Sequence, residues 1–118
     1  MDAWAFNRFM LGTKDVEFRI HGGRFVAKHY PVGRLVVISA GYGRDSRALT
    51  RVRSFDVLDA PPDLAQWERV YGPWPTHAHQ MKVAAIGLDV LAQLPCDVSD
   101  SNTLIARFSA NIEHPSGG

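Results

Sequence analysis

Cysteine is nearly missing from this chain. Cys96 stands alone among 118 residues, so no internal disulfide can form and the fold must rest on a packed apolar core. A single thiol fits a reducing compartment, and a cytoplasmic location is expected. Long apolar runs are missing as well: RLVVISA over 34–40 and VAAIGLDVLAQL over 83–94 are the longest, and Asp89 interrupts the second. Neither approaches the roughly 20 residues that cross a bilayer as a helix, so no membrane span is expected. The opening carries Asp2 and shows no basic stretch followed by an apolar run and a small-residue cleavage site, so no secretory leader is expected. There is no internal repeat.

Other absences narrow the chemistry. No Gly-x-Ser-x-Gly elbow is present and Cys96 has no evident histidine context, so acyl transfer by a serine or cysteine nucleophile lacks support. GYGRDS over 41–46 follows a strand pattern, but Ser46 holds the third glycine position of a dinucleotide fingerprint and no helical pattern follows at once, which makes it a tight turn. THAHQ places His77 and His79 on one face if extended, yet His21, His29 and His114 are scattered and a catalytic zinc wants three protein ligands. No metal and no cofactor is expected.

What is present describes one small domain. With 46% hydrophobic and 21% charged residues, the composition suits a single core over residues 1–110 and a flexible tail over 111–118. Charge is uneven along the chain. Residues 1–53 hold ten of the thirteen Lys/Arg and four of the twelve Asp/Glu, although the net charge is only +1. Either the basic half forms a face that attracts an anion such as nucleic acid, or the halves interleave in space and the charges pair.

Periodicity gives the elements. AWAFNRFML reads as a helix capped by Asp2 and closed by Gly12, and DVEFRI alternates strictly, with Val16, Phe18 and Ile20 on one face and Asp15, Glu17 and Arg19 on the other. HGGRFVAKHYPVG is a loop with a short strand around Phe25 and Val26. RLVVISA and ALTRVRSFDVL are strands, and the second puts Arg51 and Arg53 on one face. LAQWERVY is a second amphipathic helix with Asp63 as its cap, ending at Gly72. MKVAAIGLDVLAQL is a strand bent at Gly87, and TLIARFSANI a last one. Trp4, Phe6, Phe9, Trp67 and Tyr71 are expected in the core. This order predicts an α+β fold with a small barrel-like sheet of five to six strands flanked by two or three helices.

The stretch GTKDVEFR, Gly12 to Arg19, crowds Lys14, Asp15, Glu17 and Arg19 into eight residues. It resembles the ASCH domain family: Gly12, Lys14, Glu17 and Arg19 match every defined position of that family's GxKxxExR signature. AWAFNRFML, YPVGRLVVISA and VAAIGLDVLAQLP resemble the family's first helix, its Pro/Gly loop with the following strand, and its late strand, so the likeness covers most of residues 3–95. The resemblance implies a PUA-like β-barrel in which the signature lines a solvent-facing cleft. Members of the family include RNA- and DNA-binding modules, a proposed ribonuclease and a small amidohydrolase that deacetylates N4-acetylcytidine. In that amidohydrolase branch a threonine nucleophile stands where this chain has Glu17.

Two functions follow as expectations. In the first, the cleft binds RNA or a nucleotide: Lys14 and Glu17 contact the ligand, Arg19 orients Glu17 or grips a phosphate, and a carboxylate at Glu17 accepts from an amino group such as that of cytosine. Tyr42, Arg44, Arg47, Arg51 and Arg53 then supply cations and one aromatic face for a strand of nucleic acid, and His77 and His79 line the neighbouring loop. In the second, Lys14 and Glu17 activate water without a metal in a hydrolase of a modified nucleoside or of RNA, with Glu68 as a further carboxylate. Protein partners are not specified.

Overall fold

The computed structural model describes residues 1–40, 46–75 and 81–94. Its elements are α1 (Ala3–Leu11), β1 (Val16–Ile20), a 3₁₀ turn (Ala27–His29), β2 (Leu35–Ser39), β3 (Arg47–Leu58), α2 (Leu64–Tyr71) and β4 (Val83–Leu94). The strands form one four-stranded sheet in the order β1-β4-β3-β2. This is a small α+β fold. The expected strand TLIARFSANI and the tail lie outside the described residues.

The chain divides into two compact units. The first contains Met1–Asp15, Arg34–Arg51 and the chain from Asp89; the second contains Val16–Gly33 and Val52–Leu88. In the first unit, the Asp2 carboxylate accepts the Ala5 N–H at 2.8 Å, and this cap starts α1 as its position predicts. Ala5, Phe6 and Phe9 are buried along one side of the helix. Trp4 is not core: it is half-buried, and the Arg8 guanidinium lies 4.2 Å from its ring centroid, one helical turn away. β2 and β3 pair antiparallel from Leu35↔Arg51 to Ser39↔Arg47. Leu49 and Leu94 are buried there with Leu35, Val37 and Leu91 against them, and the buried Thr50 hydroxyl donates to the Val36 carbonyl at 2.8 Å.

The second unit is centred on β4. Val83 to Leu88 are all buried, which a strand achieves only when both its faces are covered, and the near-continuous apolar run VAAIGL is the sequence form of that state. β1 pairs with it antiparallel, Val16↔Gly87 through Ile20↔Val83. β4 continues through Gly87 to Leu94, so the expected bend there does not divide the strand. The glycine serves close approach instead. A Cβ at Gly87 would stand 2.3 Å from Ser54 Oγ and 3.2 Å from Arg53 Nη2, so the Arg53 guanidinium lies against this strand where any side chain would obstruct it. Asp63 caps α2 by accepting the Gln66 N–H at 3.1 Å, and Trp67, 4% exposed, is the helix residue that reaches the core.

No helix among the described residues is long and apolar enough to cross a membrane.

Candidate functional site

Glu17 and Arg19 stand two residues apart on β1, so they point to the same side of a pleated strand, opposite Ile86 and Ala84 of β4 in register. Arg19 Nη2 lies 3.7 Å from Glu17 Oε2, an ion-pair distance too long for a hydrogen bond. Glu17 Oε1 accepts the Phe18 N–H at 3.1 Å. Oε2 is shut off from solvent and takes no hydrogen bond among the described residues. Leaving a buried polar group unsatisfied costs about 1–3 kcal/mol, and more when the group is charged.

The strict alternation of DVEFRI predicts an open charged face, and here the structure differs. The Glu17 side chain is only 14% exposed and Arg19 28%, whereas Ile20, expected inward, is 41% exposed. The reason lies in what flanks the two charges. Arg19 has the Phe25 ring beside it, its guanidinium carbon 5.4 Å from the centroid. On the helix side stands Tyr71.

Tyr71, expected in the core like Trp4, is also placed differently. Its spacing with Leu64 and Trp67 predicts core, but it is 37% exposed, and its ring leans on Trp67 with centroids 4.3 Å apart and planes tilted by 31°. Trp74 meets Trp67 edge-on, with centroids 5.5 Å apart. Burial pushes the Tyr71 hydroxyl above its ordinary pKa; the Arg19 charge and hydrogen bonding with Arg19 oppose that rise, and the Glu17 charge adds to it. The hydroxyl is therefore protonated at neutral pH and can donate a hydrogen bond. Glu17 and Arg19 are paired on β1, and both charges act on the Tyr71 hydroxyl at the end of α2.

Lys14 belongs to the first unit, where its N–H donates to the Arg8 carbonyl at 3.2 Å and its ammonium sits 5.5 Å from the Phe9 ring centroid. Arg51 is half-buried opposite Leu35 on β3. Arg53 is exposed and its guanidinium lies over Gly87. Arg47, expected with them as a surface cation, is buried at 5% exposure, because the start of β3 is covered on both faces. Glu68 is exposed on α2, and its backbone carbonyl accepts the Gly72 N–H that closes the helix. Tyr42, Arg44, His77, His79 and Cys96 lie outside the described residues. Among the described residues, no three of His, Cys, Asp and Glu gather as metal ligands.

No family model, curated protein or solved structure matches this chain.

Proposed function

We propose that the chain is an ASCH-type, PUA-like module that binds RNA or a nucleotide, with Glu17 as the acceptor that reads the ligand. The observation that carries this reading is the Glu17 carboxylate: its side chain keeps 14% exposure while its Oε2 has no hydrogen bond among the described residues, so a donor that enters there displaces what now covers that oxygen. A structural carboxylate at that depth ordinarily has its partners within the fold, whereas a ligand-reading one receives them on binding. An exocyclic amino group of a base is a donor of the right kind. Arg19, at 3.7 Å, holds the carboxylate without occupying it, and the Tyr71 hydroxyl, which senses both charges, is a further candidate donor. Lys14, in the same eight-residue signature, contributes a cation for a phosphate or a base carbonyl. Arg51, Arg53, Tyr42 and Arg44 are the further residues proposed to contact the ligand.

The test is fluorescence anisotropy of a labelled single-stranded RNA titrated with wild type, Lys14→Ala and Glu17→Ala, followed by a denaturing gel of the same samples. Binding by wild type, its loss in both variants and intact RNA on the gel are expected. Equal binding by all three proteins would overturn the assignment. RNA cleaved by wild type in the presence of chelator and spared by Glu17→Ala would replace the binding module with a metal-independent hydrolase.

A further inference from the structure

The loop over residues 21–33 gathers rings and cations that the Glu17 group does not account for. It contains Arg24, Lys28, His21 and His29 and no carboxylate. Its path is fixed at several points. The Gly22 and Phe25 backbones exchange hydrogen bonds of 3.2 and 2.9 Å, closing a turn in which Gly22 takes φ 127, a conformation closed to residues with a Cβ. The His21 N–H donates to the Lys82 carbonyl at 2.9 Å and the Gly33 N–H to the Val52 carbonyl at 2.7 Å. Between these anchors the 3₁₀ turn Ala27–His29 hands the chain to Tyr30.

The anchored loop produces a run of four rings. Phe25 and Tyr30 have centroids 6.2 Å apart with planes within 14°, and Tyr30 and Phe55 of β3 are 6.0 Å apart with planes within 15°. His21 continues the run 6.3 Å from Phe55, tilted by 56°. Arg19 stands at its other end over Phe25. Atoms in van der Waals contact sit about 3.5–4.0 Å apart. Near-parallel rings with centroids 6 Å apart are therefore slid sideways or separated, and each leaves ring face that its neighbour does not cover. All four rings are half-buried, while Arg24 and Lys28 are exposed. Aromatic faces beside cations, in a loop without carboxylates, match a ligand that is planar and polyanionic.

We propose that His21, Phe55, Tyr30 and Phe25 form a stacking platform for the bases of a single-stranded nucleic acid, with Arg24 and Lys28 meeting its phosphates. The proposal rests on the reading that this chain binds RNA or a nucleotide, and it extends the ligand from one nucleotide at Glu17 to its neighbours. Arg19, which stands beside both Glu17 and Phe25, joins the two parts.

The experiment titrates full-length wild type, Tyr30→Leu, Phe55→Leu, Arg24→Gln/Lys28→Gln and Glu17→Gln into three fluorescein-labelled strands of equal length: RNA, DNA of the same sequence, and an abasic sugar-phosphate strand. Stacking of a base on an aromatic side chain contributes enough that each Leu variant should bind RNA and DNA at least about fivefold more weakly. The abasic strand should bind wild type poorly and lose nothing further in those variants. Arg24→Gln/Lys28→Gln changes only exposed side chains, so it remains informative if a Leu variant fails to fold by thermal melting. It should weaken binding of all three strands at low salt. Wild-type affinity in the double variant, or equal wild-type affinity for abasic and base-bearing strands, would overturn the platform. Unchanged binding in both Leu variants with loss in Glu17→Gln would remove the platform and leave the Glu17 reading intact. The reverse pattern would remove Glu17 as the reader and keep the platform. No binding of any strand by wild type would overturn both.

Discussion

Glu17 holds a carboxylate oxygen that is enclosed and, among the described residues, accepts no hydrogen bond. If a ligand completes that site, the free protein is less stable than its packing allows, and removing the charge relieves it. Glu17→Met keeps the length of the side chain without the polar group, and it should stabilise the unliganded protein by up to about 1 kcal/mol in urea unfolding while abolishing RNA binding. A loss of stability of comparable size would mark Glu17 as a structural residue. Tyr71 offers a second check on the same group. Since burial and the Glu17 charge raise its pKa and Arg19 lowers it, Glu17→Gln should bring its ionisation down toward the ordinary value of 10.0, and Arg19→Gln should push it further up. Alkaline difference spectra against Tyr71→Phe would show both shifts, and identical titrations in all backgrounds would mean that the hydroxyl does not sense the two charges. The pairing of Glu17 with Arg19 is legible in the sequence because it needs only the two-residue repeat of a strand. Tyr71 is not, because its partners come from β1 and its helical spacing predicts burial. Only contacts distant in sequence distinguish a ring on the core from a hydroxyl on the site.

The elements themselves follow their local signals closely: Asp2 and Asp63 cap the helices, Gly12 and Gly72 end them, and the apolar run from Val83 becomes an inner strand of the sheet. Gly87 is the instructive departure. Glycine within a strand pattern signals a bend, a bulge or a close approach, and the sequence alone does not choose among them. Here the choice depends on Ser54 and Arg53 of β3, whose side chains occupy the space a Cβ needs. Gly87→Ala should therefore destabilise the protein by about 1–3 kcal/mol, the usual cost of overpacking. Removing the nearer obstruction, in Gly87→Ala/Ser54→Gly, should recover part of that loss relative to the sum of the single changes. Strict additivity in denaturant melts would show that the glycine is needed for some other reason. The aromatic run on the loop over 21–33 was hidden for a similar cause. The turn at Gly22 and Gly23 is readable, but a strand at Phe25 is not what forms, and Phe55 joins the run from β3.

At the scale of the two units, the described residues do not keep the charge imbalance of the sequence. Among the described residues, the first unit carries five Lys/Arg against three Asp/Glu and the second six against five. Among the described residues neither unit is strongly basic, and Asp56, Asp59, Asp63 and Glu68 fall in the same unit as Arg19, Arg24 and Lys28. Long-range attraction of a polyanion should accordingly be weak, and affinity should depend on a few local contacts. Salt dependence measures how many. On a single strand each neutralised phosphate contributes about −0.7 to the slope of log K against log salt, so Arg24 and Lys28 alone predict a slope near −1.4. Adding Arg44, Arg51 and Arg53 to the contacts would steepen it to about −3.5. Arg47 adds nothing in either case, since it is buried at the start of β3. A shallow slope that falls close to zero in Arg24→Gln/Lys28→Gln places the phosphates on the loop, whereas a steep slope that survives this double variant places them on Arg44, Arg51 and Arg53. A slope of zero in wild type would mean that no phosphate is contacted, and only an uncharged nucleoside would remain compatible with the Glu17 site.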